Sequence, residues 1–202
     1  VNTNLYYMMY NEQLVLTGNI DNVGNPIRQN NGESYRFGLE VEANINPIKW
    51  LTIQPAITIS SNKNKTTLTS IDGILVDLGK TNISFSPELI ASNALVFRPI
   101  HQLQVSLLSK FVGEQYMGNT DSEVSKLDSY FINDFNVSYN IETNTFVKSI
   151  TISALVNNIF NKEYVSNGYY YTYDDNWTNP GVINTIEGAG FYPQATRNFL
   201  LG

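Results

Sequence analysis

The stretch Ser34-Tyr-Arg-Phe-Gly-Leu-Glu-Val-Glu-Ala-Asn-Ile45 alternates between apolar and polar side chains without interruption. Its odd positions are apolar or aromatic, and its even positions are polar or glycine. Because a strand turns successive side chains to opposite faces, this stretch predicts a strand with one apolar and one polar face. It is longer than the roughly 5–6 residues usual for a strand in a soluble domain. It is long enough to cross a bilayer, which takes roughly 9–11 tilted strand residues.

The composition of the chain agrees with a protein built of polar but weakly charged strands. The 202 residues include 13 tyrosines, only 15% are charged, and the net charge is −6. Aromatic residues favour strands, and the scattered basic residues argue against nucleic acid as a partner. There is no cysteine and His101 is the only histidine, so neither a disulfide nor a thiolate or histidine metal cluster is possible. We therefore expect no metal site and no cofactor.

The same pattern continues along the chain and predicts eight strand-like segments. They lie at about 4–16, 34–45, 50–62, 84–97, 103–111, 130–141, 149–159 and from Phe191 onward. Their connections alternate in length, with polar loops at 17–33, 63–80, 113–126 and 161–190, and short turns at 46–49, 98–101 and 142–145. This alternation is typical of outer-membrane barrels, which have short periplasmic turns and longer loops outside the cell.

Charged residues on the clearly patterned strands share one parity. Arg36, Glu40, Glu42 and Lys110 all fall on the polar face. A charge on the lipid face at the bilayer midplane would cost about 2–4 kcal/mol, so this placement is what a membrane strand requires. The sequence therefore predicts an all-β, antiparallel transmembrane β-barrel whose apolar face contacts lipid.

Three segments resemble the TonB-dependent outer-membrane receptors. Ser153-Ala-Leu-Val-Asn-Asn-Ile-Phe-Asn-Lys-Glu-Tyr164 resembles their penultimate strand. Gly190-Phe-Tyr-Pro-Gln-Ala-Thr-Arg-Asn-Phe199 resembles their final strand, with Thr196 where proline is commoner. Gly32-Glu-Ser-Tyr-Arg-Phe-Gly-Leu-Glu40 resembles a recurring strand of the family.

The resemblance implies a fold, a location and a function. Residues 1–202 would form part of one barrel domain, about eight C-terminal strands of a barrel of about 22 strands. The plug domain and the other strands would lie outside this chain, which starts without methionine and ends in mid-pattern and is therefore expected to be a fragment. The function implied is energy-coupled uptake across the outer membrane of a Gram-negative bacterium, powered through TonB acting on the plug. The expected ligand is a scarce compound such as an iron–siderophore complex, and no enzymatic activity is implied.

The longest loop, 161–190, contains the best candidates for ligand contact. These are Tyr169, Tyr170, Tyr171, Tyr173, Asp174 and Trp177. Aromatic rings offer a broad and rigid contact surface, with hydroxyl groups to orient a ligand. The alternative interpretation is that these rings form the aromatic girdle at the membrane interface. Asp174 and Asp175 would add a cation site or, alternatively, are simply solvated.

Two other architectures are compatible with the pattern. One is a self-contained barrel of eight strands with a structural or adhesive role, since eight strands can close around a filled interior. The other is a soluble secreted β-sandwich that binds carbohydrate through the Tyr/Trp loop.

Overall fold

The computed structural model of the chain describes residues 1–21, 23–143 and 146–202, and at positions 16, 18, 26 and 31 it describes the backbone alone. Apart from one short 3₁₀ turn, Glu123–Ser125, the regular elements in these ranges are all strands. They are β1 (Asn2–Ile20), β2 (Pro26–Glu42), β3 (Ile45–Ile48), β4 (Leu51–Asn64), β5 (Leu68–Ile71), β6 (Ile74–Asp77), β7 (Thr81–Asn82), β8 (Leu89–Ile100), β9 (Leu103–Val112), β10 (Gln115–Tyr116), β11 (Lys126–Leu127), β12 (Tyr130–Glu142), β13 (Ser149–Asn157), β14 (Val165–Asp175), β15 (Asn184–Pro193) and β16 (Asn198–Leu201). Within the described ranges, no helix has the length and apolar character needed to cross a membrane.

The main sheet is an up-and-down meander, which confirms the predicted all-β antiparallel fold. Its path runs β1-β2-β4-β8-β9-β12-β13-β16, and each strand is antiparallel to its neighbour. The β14–β15 hairpin joins the same sheet through one parallel pairing, Asn19↔Thr172. We call the end of the strands where the long connections lie the loop end, and the opposite end, where the short turns lie, the turn end.

The two faces of this sheet have the character that the alternation predicts. Leu39, Ile59 and Phe131 lie on one face and are 38%, 55% and 52% exposed. On the other face, Glu40 accepts a hydrogen bond from Asn4 Nδ2 at 3.1 Å. An apolar face this extensively exposed matches a surface that contacts lipid.

The buried side chains lie mainly at the loop end. The connections there fold over the sheet and cover Ile83, Met117 and Leu127, which are at most 4% exposed. Polar side chains are buried with them, including Asn64 and Ser125, both at 0% exposure. The hydrophobic core is therefore small and lies between the folded loops and the loop end of the sheet, where Val112 and Tyr130 are also buried.

Several strand boundaries differ from the sequence-based prediction, among them the starts of the fourth and the last predicted strands. The fourth meander strand, β8, begins at Leu89 and not at position 84, because Phe85 has a positive φ of 50° and Pro87 lacks the N–H that a ladder needs. The last strand, β16, begins at Asn198, and Phe191 belongs to β15. The predicted turn at 142–145 lies partly outside the described residues.

All four predicted polar loops contain regular structure, and the one at 113–126 holds β10, the 3₁₀ turn and the start of β11. The loop predicted at 17–33 is mostly the continuation of β1 and β2, which extend to Ile20 and from Pro26. The loop at 63–80 holds the β5–β6 hairpin, and the loop at 161–190 holds all of β14 and part of β15. The run of tyrosines in β14 explains the last case, since aromatic residues favour strands even without an apolar–polar alternation.

Neither alternative architecture matches the path of the sheet. Among the described residues, β1 and β16 make no backbone pairing, so the eight meander strands do not close on themselves. In the same ranges there are two further sheets, β10–β11 and β5–β6, each of only two short strands. Neither is large enough to cover the apolar face as the second sheet of a sandwich would.

Candidate ligand-contacting surface at the loop end

Four aromatic side chains of the β14 segment form a continuous stack, which we call the aromatic ladder. Tyr169, Tyr171 and Tyr173 share one face of β14, because they are two residues apart, and Trp177 follows just after the strand. The ring centroids are 6.2 Å apart for the first pair, 6.4 Å for the second and 5.8 Å between Tyr173 and Trp177. Trp177 is 65% exposed and Tyr169 is 51% exposed. The ladder is therefore a row of rings that remains accessible to solvent.

Glycines on the partner strand make room for this ladder. Gly190 pairs with Tyr169, and Gly188 pairs with Tyr171. A Cβ added to Gly188 would lie 2.5 Å from Cζ of Tyr171, and one added to Gly190 would lie 2.3 Å from Cζ of Tyr169. Each ring thus lies flat over the backbone opposite it, an arrangement known to shield glycine in strands.

Tyr170 points to the other face of β14 and anchors the hairpin to the 113–129 connection. Its hydroxyl donates a hydrogen bond to Glu187 Oε1 at 2.6 Å, and Ser122 Oγ donates to the other carboxylate oxygen at 2.8 Å. Its ring packs against Gly118, where an added Cβ would be 2.8 Å from Cδ1. Burial, reinforced by the Glu187 carboxylate, raises the pKa of Tyr170 to about 12. This candidate is therefore part of the scaffold beneath the hairpin.

Asp174 also lies on the Tyr170 face, where it joins two hairpins. Its Oδ1 accepts a hydrogen bond from Thr185 Oγ1 at 2.7 Å. Thr185 Oγ1 in turn accepts from the backbone N–H of Asp72, and the Thr185 N–H donates to Asp72 Oδ1, both at 2.8 Å. The tip of β5–β6 is thereby fastened to β15.

Asp175 has a separate structural role at the end of β14. Its Oδ1 accepts from the backbone N–H of Trp177 at 3.1 Å and of Thr178 at 3.0 Å. The hydrogen bonds from Thr178 are the main reason why the pKa of Asp175 lies below its ordinary value. Neighbouring strand positions put Asp174 and Asp175 on opposite faces, and the described part of the chain holds no cluster of three metal-ligating side chains.

A cavity of about 510 Å³ adjoins the hairpin. It lies between the loop ends of β1 and β2, the start of β5, and the 113–129 connection, and its lining contains no charged side chain. Asn19 and Gln29 line it from the two strands, Thr69 lines it from β5, and Thr120 from the connection. The hairpin touches this lining, because Thr172 Oγ1 donates to Asn19 Oδ1 at 2.5 Å. Its volume falls within the range of small-molecule sites.

Buried polar side chains hold the neighbouring connections in place. Asn64 Nδ2 donates to Thr81 Oγ1 at 3.3 Å and to Asn119 Oδ1 at 3.4 Å. Asn82 donates to Asp121 Oδ1 from its backbone N–H at 2.9 Å and from Nδ2 at 3.1 Å. Satisfied polar networks of this kind rigidify the groups they join, so the walls of the cavity are preformed.

The ladder lies far from the apolar band of the sheet. In β1 that band is carried by Leu5, Tyr7 and Met9, and Asn19 lies ten residues beyond Met9. At the rise of a strand this distance is on the order of 30 Å. Since Thr172 pairs with Asn19, the ladder is level with the outermost part of β1. Aromatic pairs also occur on the sheet itself, at Trp50–Phe97 with centroids 5.1 Å apart, where a girdle is expected.

The structure thus divides the six sequence-predicted candidates into two groups. Tyr169, Tyr171, Tyr173 and Trp177 form the ladder, whereas Tyr170 and Asp174 face the supporting connections. Sequence reasoning missed Tyr192, whose ring lies 6.0 Å from that of Tyr169. It also missed the β5–β6 hairpin, although Asp72-Gly73 between two isoleucines is a strong hairpin signal and both residues have positive φ.

Comparison with known proteins places the fold. The family described as TonB-dependent receptor-like β-barrel matches residues 1–159. The siderophore receptor PiuA from Acinetobacter baumannii is 18% identical, with a TM-score of 0.65 over 98% of this chain and 25% of that receptor. The ferric-catecholate import receptor Fiu from Escherichia coli K12 is 14% identical, with a TM-score of 0.64 over 98% of this chain and 24% of that receptor.

A third solved structure agrees with these two. The ferric yersiniabactin uptake receptor FyuA from Yersinia pestis is 14% identical, with a TM-score of 0.58 over 99% of this chain and 27% of that receptor. The chain therefore spans about a quarter of the length of the receptors it matches. No curated protein sequence matches it.

Proposed function

The chain belongs to the TonB-dependent receptor β-barrel family, and from this membership we propose that it forms the C-terminal barrel section of an outer-membrane transporter for an iron–siderophore complex. In this proposal residues 1–202 are one part of a single barrel domain. The other strands, a plug domain and TonB acting through that plug are its partners, in the outer membrane of a Gram-negative bacterium. The chain is wall and scaffold and carries out no covalent chemistry.

The exposed apolar face and the folded loop end support a role in the membrane. Side chains such as Leu39 and Ile59 need an apolar environment, and the sheet path leaves them uncovered within the described residues. The strand edges at β15 and β16 end the path, and further barrel strands would pair with such edges.

The aromatic ladder is the single observation that carries the ligand proposal. Its rings are stacked, solvent-accessible and held by Gly188 and Gly190, so that a planar ligand meets a surface that needs little reordering. The solved structures similar to this chain include receptors for siderophores and ferric catecholates, which makes an iron complex the ligand to test first.

The two tryptophans of the chain provide a matched test. Trp177 belongs to the ladder, whereas Trp50 lies at the turn end. In the protein expressed from its complete gene, we expect Trp177→Ala to weaken binding of the transported ferric complex about tenfold, the loss of one well-packed aromatic contact. Trp50→Ala should leave that affinity unchanged.

Cellular iron uptake provides the second readout. Deletion of the complete gene should slow growth in iron-depleted medium and reduce uptake of radioactive iron from the organism's own siderophore, and Trp177→Ala should restore both only in part. Uptake that is unaffected by the deletion would contradict the proposed function. Equal losses from Trp177→Ala and Trp50→Ala would instead remove the ladder from the ligand site.

A further inference from the structure

We propose that the loop end of this chain selects an uncharged ferric complex over a trianionic one. The inference rests on the proposed function, since it concerns which iron complex the same surface accepts. The chemistry of iron chelation provides the two classes. Three monoanionic hydroxamate groups neutralise Fe³⁺, whereas three dianionic catecholate groups leave a complex with three negative charges.

The distribution of charge along the chain is the first observation. The connections at the loop end, 21–25, 65–88, 113–129 and 158–197, contain twelve acidic and five basic residues. The rest of the chain contains six acidic and seven basic residues. The negative charge of the protein is therefore concentrated at the end that meets the ligand, and such a field repels anions on approach.

The segment that carries the ladder has an even larger excess of acidic over basic residues. Between Lys162 and Arg197 there is no basic residue, but there are four acidic ones, including Asp174, Asp175 and Glu187. The hydrogen bonds of these three carboxylates come from neutral donors such as Thr185 Oγ1, the Thr178 N–H and Tyr170 Oη, which leave their charge uncompensated. A trianion on the ladder would meet this charge directly.

Three of the basic residues elsewhere at the loop end are engaged by other side chains, whereas Arg28, on the outer part of β2, is exposed. Lys65 is paired with Glu33 at 2.5 Å, and Lys126 is paired with Glu114 at 3.2 Å. The ammonium of Lys80 lies 5.0 Å from the ring centroid of Tyr35. Each of these three cations is therefore already in contact with a group of the protein.

The adjoining cavity is suited to an uncharged ligand. Its lining is made of threonine, asparagine, glutamine and small or apolar residues, with no charged side chain. Hydroxyl and amide groups can donate to and accept from a neutral polar ligand, but they supply no full charge to offset a buried anion. The ladder and the cavity therefore favour the same class of complex.

Binding of two iron(III) complexes to the protein from the complete gene tests this inference. The probes are the iron(III) complex of a hexadentate cyclic trihydroxamate and that of a tripodal tricatecholate, each titrated by the quenching of the protein's tryptophan fluorescence. We expect at least about tenfold tighter binding of the uncharged complex at low ionic strength, with the gap narrowing as salt screens the repulsion.

Charge-removing variants sharpen the test. Asp175→Asn keeps an oxygen that can accept from Trp177 and Thr178, so we expect it to preserve the turn and to raise affinity for the trianionic complex about twofold. The matched control, Glu142→Gln, removes the same charge at the turn end and should change neither affinity.

The outcomes separate this inference from the proposed function. Tighter binding of the uncharged complex, with the expected salt dependence, supports both. Equal or tighter binding of the trianionic complex overturns the inference and leaves iron uptake in place. If neither complex binds and deletion of the gene leaves iron uptake unchanged, the proposed function falls, and the inference falls with it.

Discussion

The tyrosines of β1 and β14 show how one residue type serves two surfaces. In β1, Tyr7 lies on the apolar face and contacts Tyr35 and Phe37 of β2, with both centroid distances at 6.3 Å. In β14, Tyr169 and Tyr171 stack along the same strand. Tyr7 thus joins two strands through its ring contacts, whereas the ladder tyrosines stack along a single strand.

The partner strand accounts for this difference. β2 alternates strictly from Ser34 to Glu42, so a β1 residue on the apolar face, such as Tyr7, has the apolar side chain of Phe37 opposite it. β15 places Gly188 and Gly190 directly opposite Tyr171 and Tyr169, so the nearest cross-strand ring is the diagonal Tyr192, 6.0 Å from Tyr169. A tyrosine's environment therefore follows from the residue opposite it more than from its own strand.

Among the changes that test this difference between the two surfaces, a charge on the apolar face should have the largest effect on stability. We expect Leu39→Arg to lower the free energy of unfolding in lipid vesicles by about 2–4 kcal/mol, because the guanidinium would face hydrocarbon. Thr58→Arg is the matched control, since Thr58 pairs with Glu40 on the polar face. Equal losses for the two variants, measured by urea titration, would mean that the apolar face does not contact lipid.

A side chain beneath the ladder should have the next largest effect. Gly188→Ala puts a Cβ 2.5 Å from Cζ of Tyr171, and displacing that ring should cost about 1–3 kcal/mol of hairpin stability. Gly32→Ala is the control, because its added Cβ meets nothing within 4 Å. Hydrogen exchange of the β14 and β15 amides reports the change, and unaltered protection in Gly188→Ala would refute the close packing.

The fastening between the two hairpins should contribute less. Thr185→Val removes the hydroxyl that donates to Asp174 and accepts from the Asp72 N–H, and we expect a local loss of about 1 kcal/mol. Thr151→Val serves as control, since its hydroxyl makes only a 3.4 Å contact with Asn140 on an exposed surface. Exchange of the Asp72 and Thr185 amides should accelerate in the first variant alone.

The smallest effect depends on pH. Because the pKa of Tyr170 is raised from 10.0 to about 12, folding favours its protonated form, and this contribution is complete below pH 10 and is lost as the pH rises from 10 to about 12. The difference in tyrosinate absorbance between the wild type and Tyr170→Phe should therefore rise near pH 12. A difference that rises near pH 10 would show that Tyr170 is neither buried beneath the hairpin nor hydrogen-bonded to Glu187.

The sheet was predictable because the alternation of side chains along a strand shows, without knowledge of its neighbours, which face is apolar. The alternation from Ser34 to Glu42 needs no knowledge of the partner strands, and the charges of Arg36 and Glu40 confirm the parity. The boundaries of β8 were not predictable in the same way, since they depend on the backbone of Phe85 and on the missing N–H of Pro87.

The candidate site was predictable only in composition. The tyrosine-rich run predicts an aromatic surface. It does not show that Tyr170 lies apart from the ladder, because this depends on the 113–129 connection, which is distant in sequence and contacts Tyr170 and Glu187 only in the folded structure. The hydrogen bonds between Asp72 and Thr185 join residues 113 positions apart, and no local sequence pattern predicts such a pairing. The pairing of β14 with β1 is equally non-local.

The close approach of Tyr171 to Gly188 also has an evolutionary consequence. Gly188 cannot gain a side chain while Tyr171 is kept, because any side chain at 188 needs the space that the ring fills. Among relatives that preserve this hairpin, we expect the two positions to covary, with glycine at 188 where 171 is aromatic and a larger residue at 188 only where 171 is small. The ladder would then be inherited as pairs of positions, and its length could change between receptors one pair at a time.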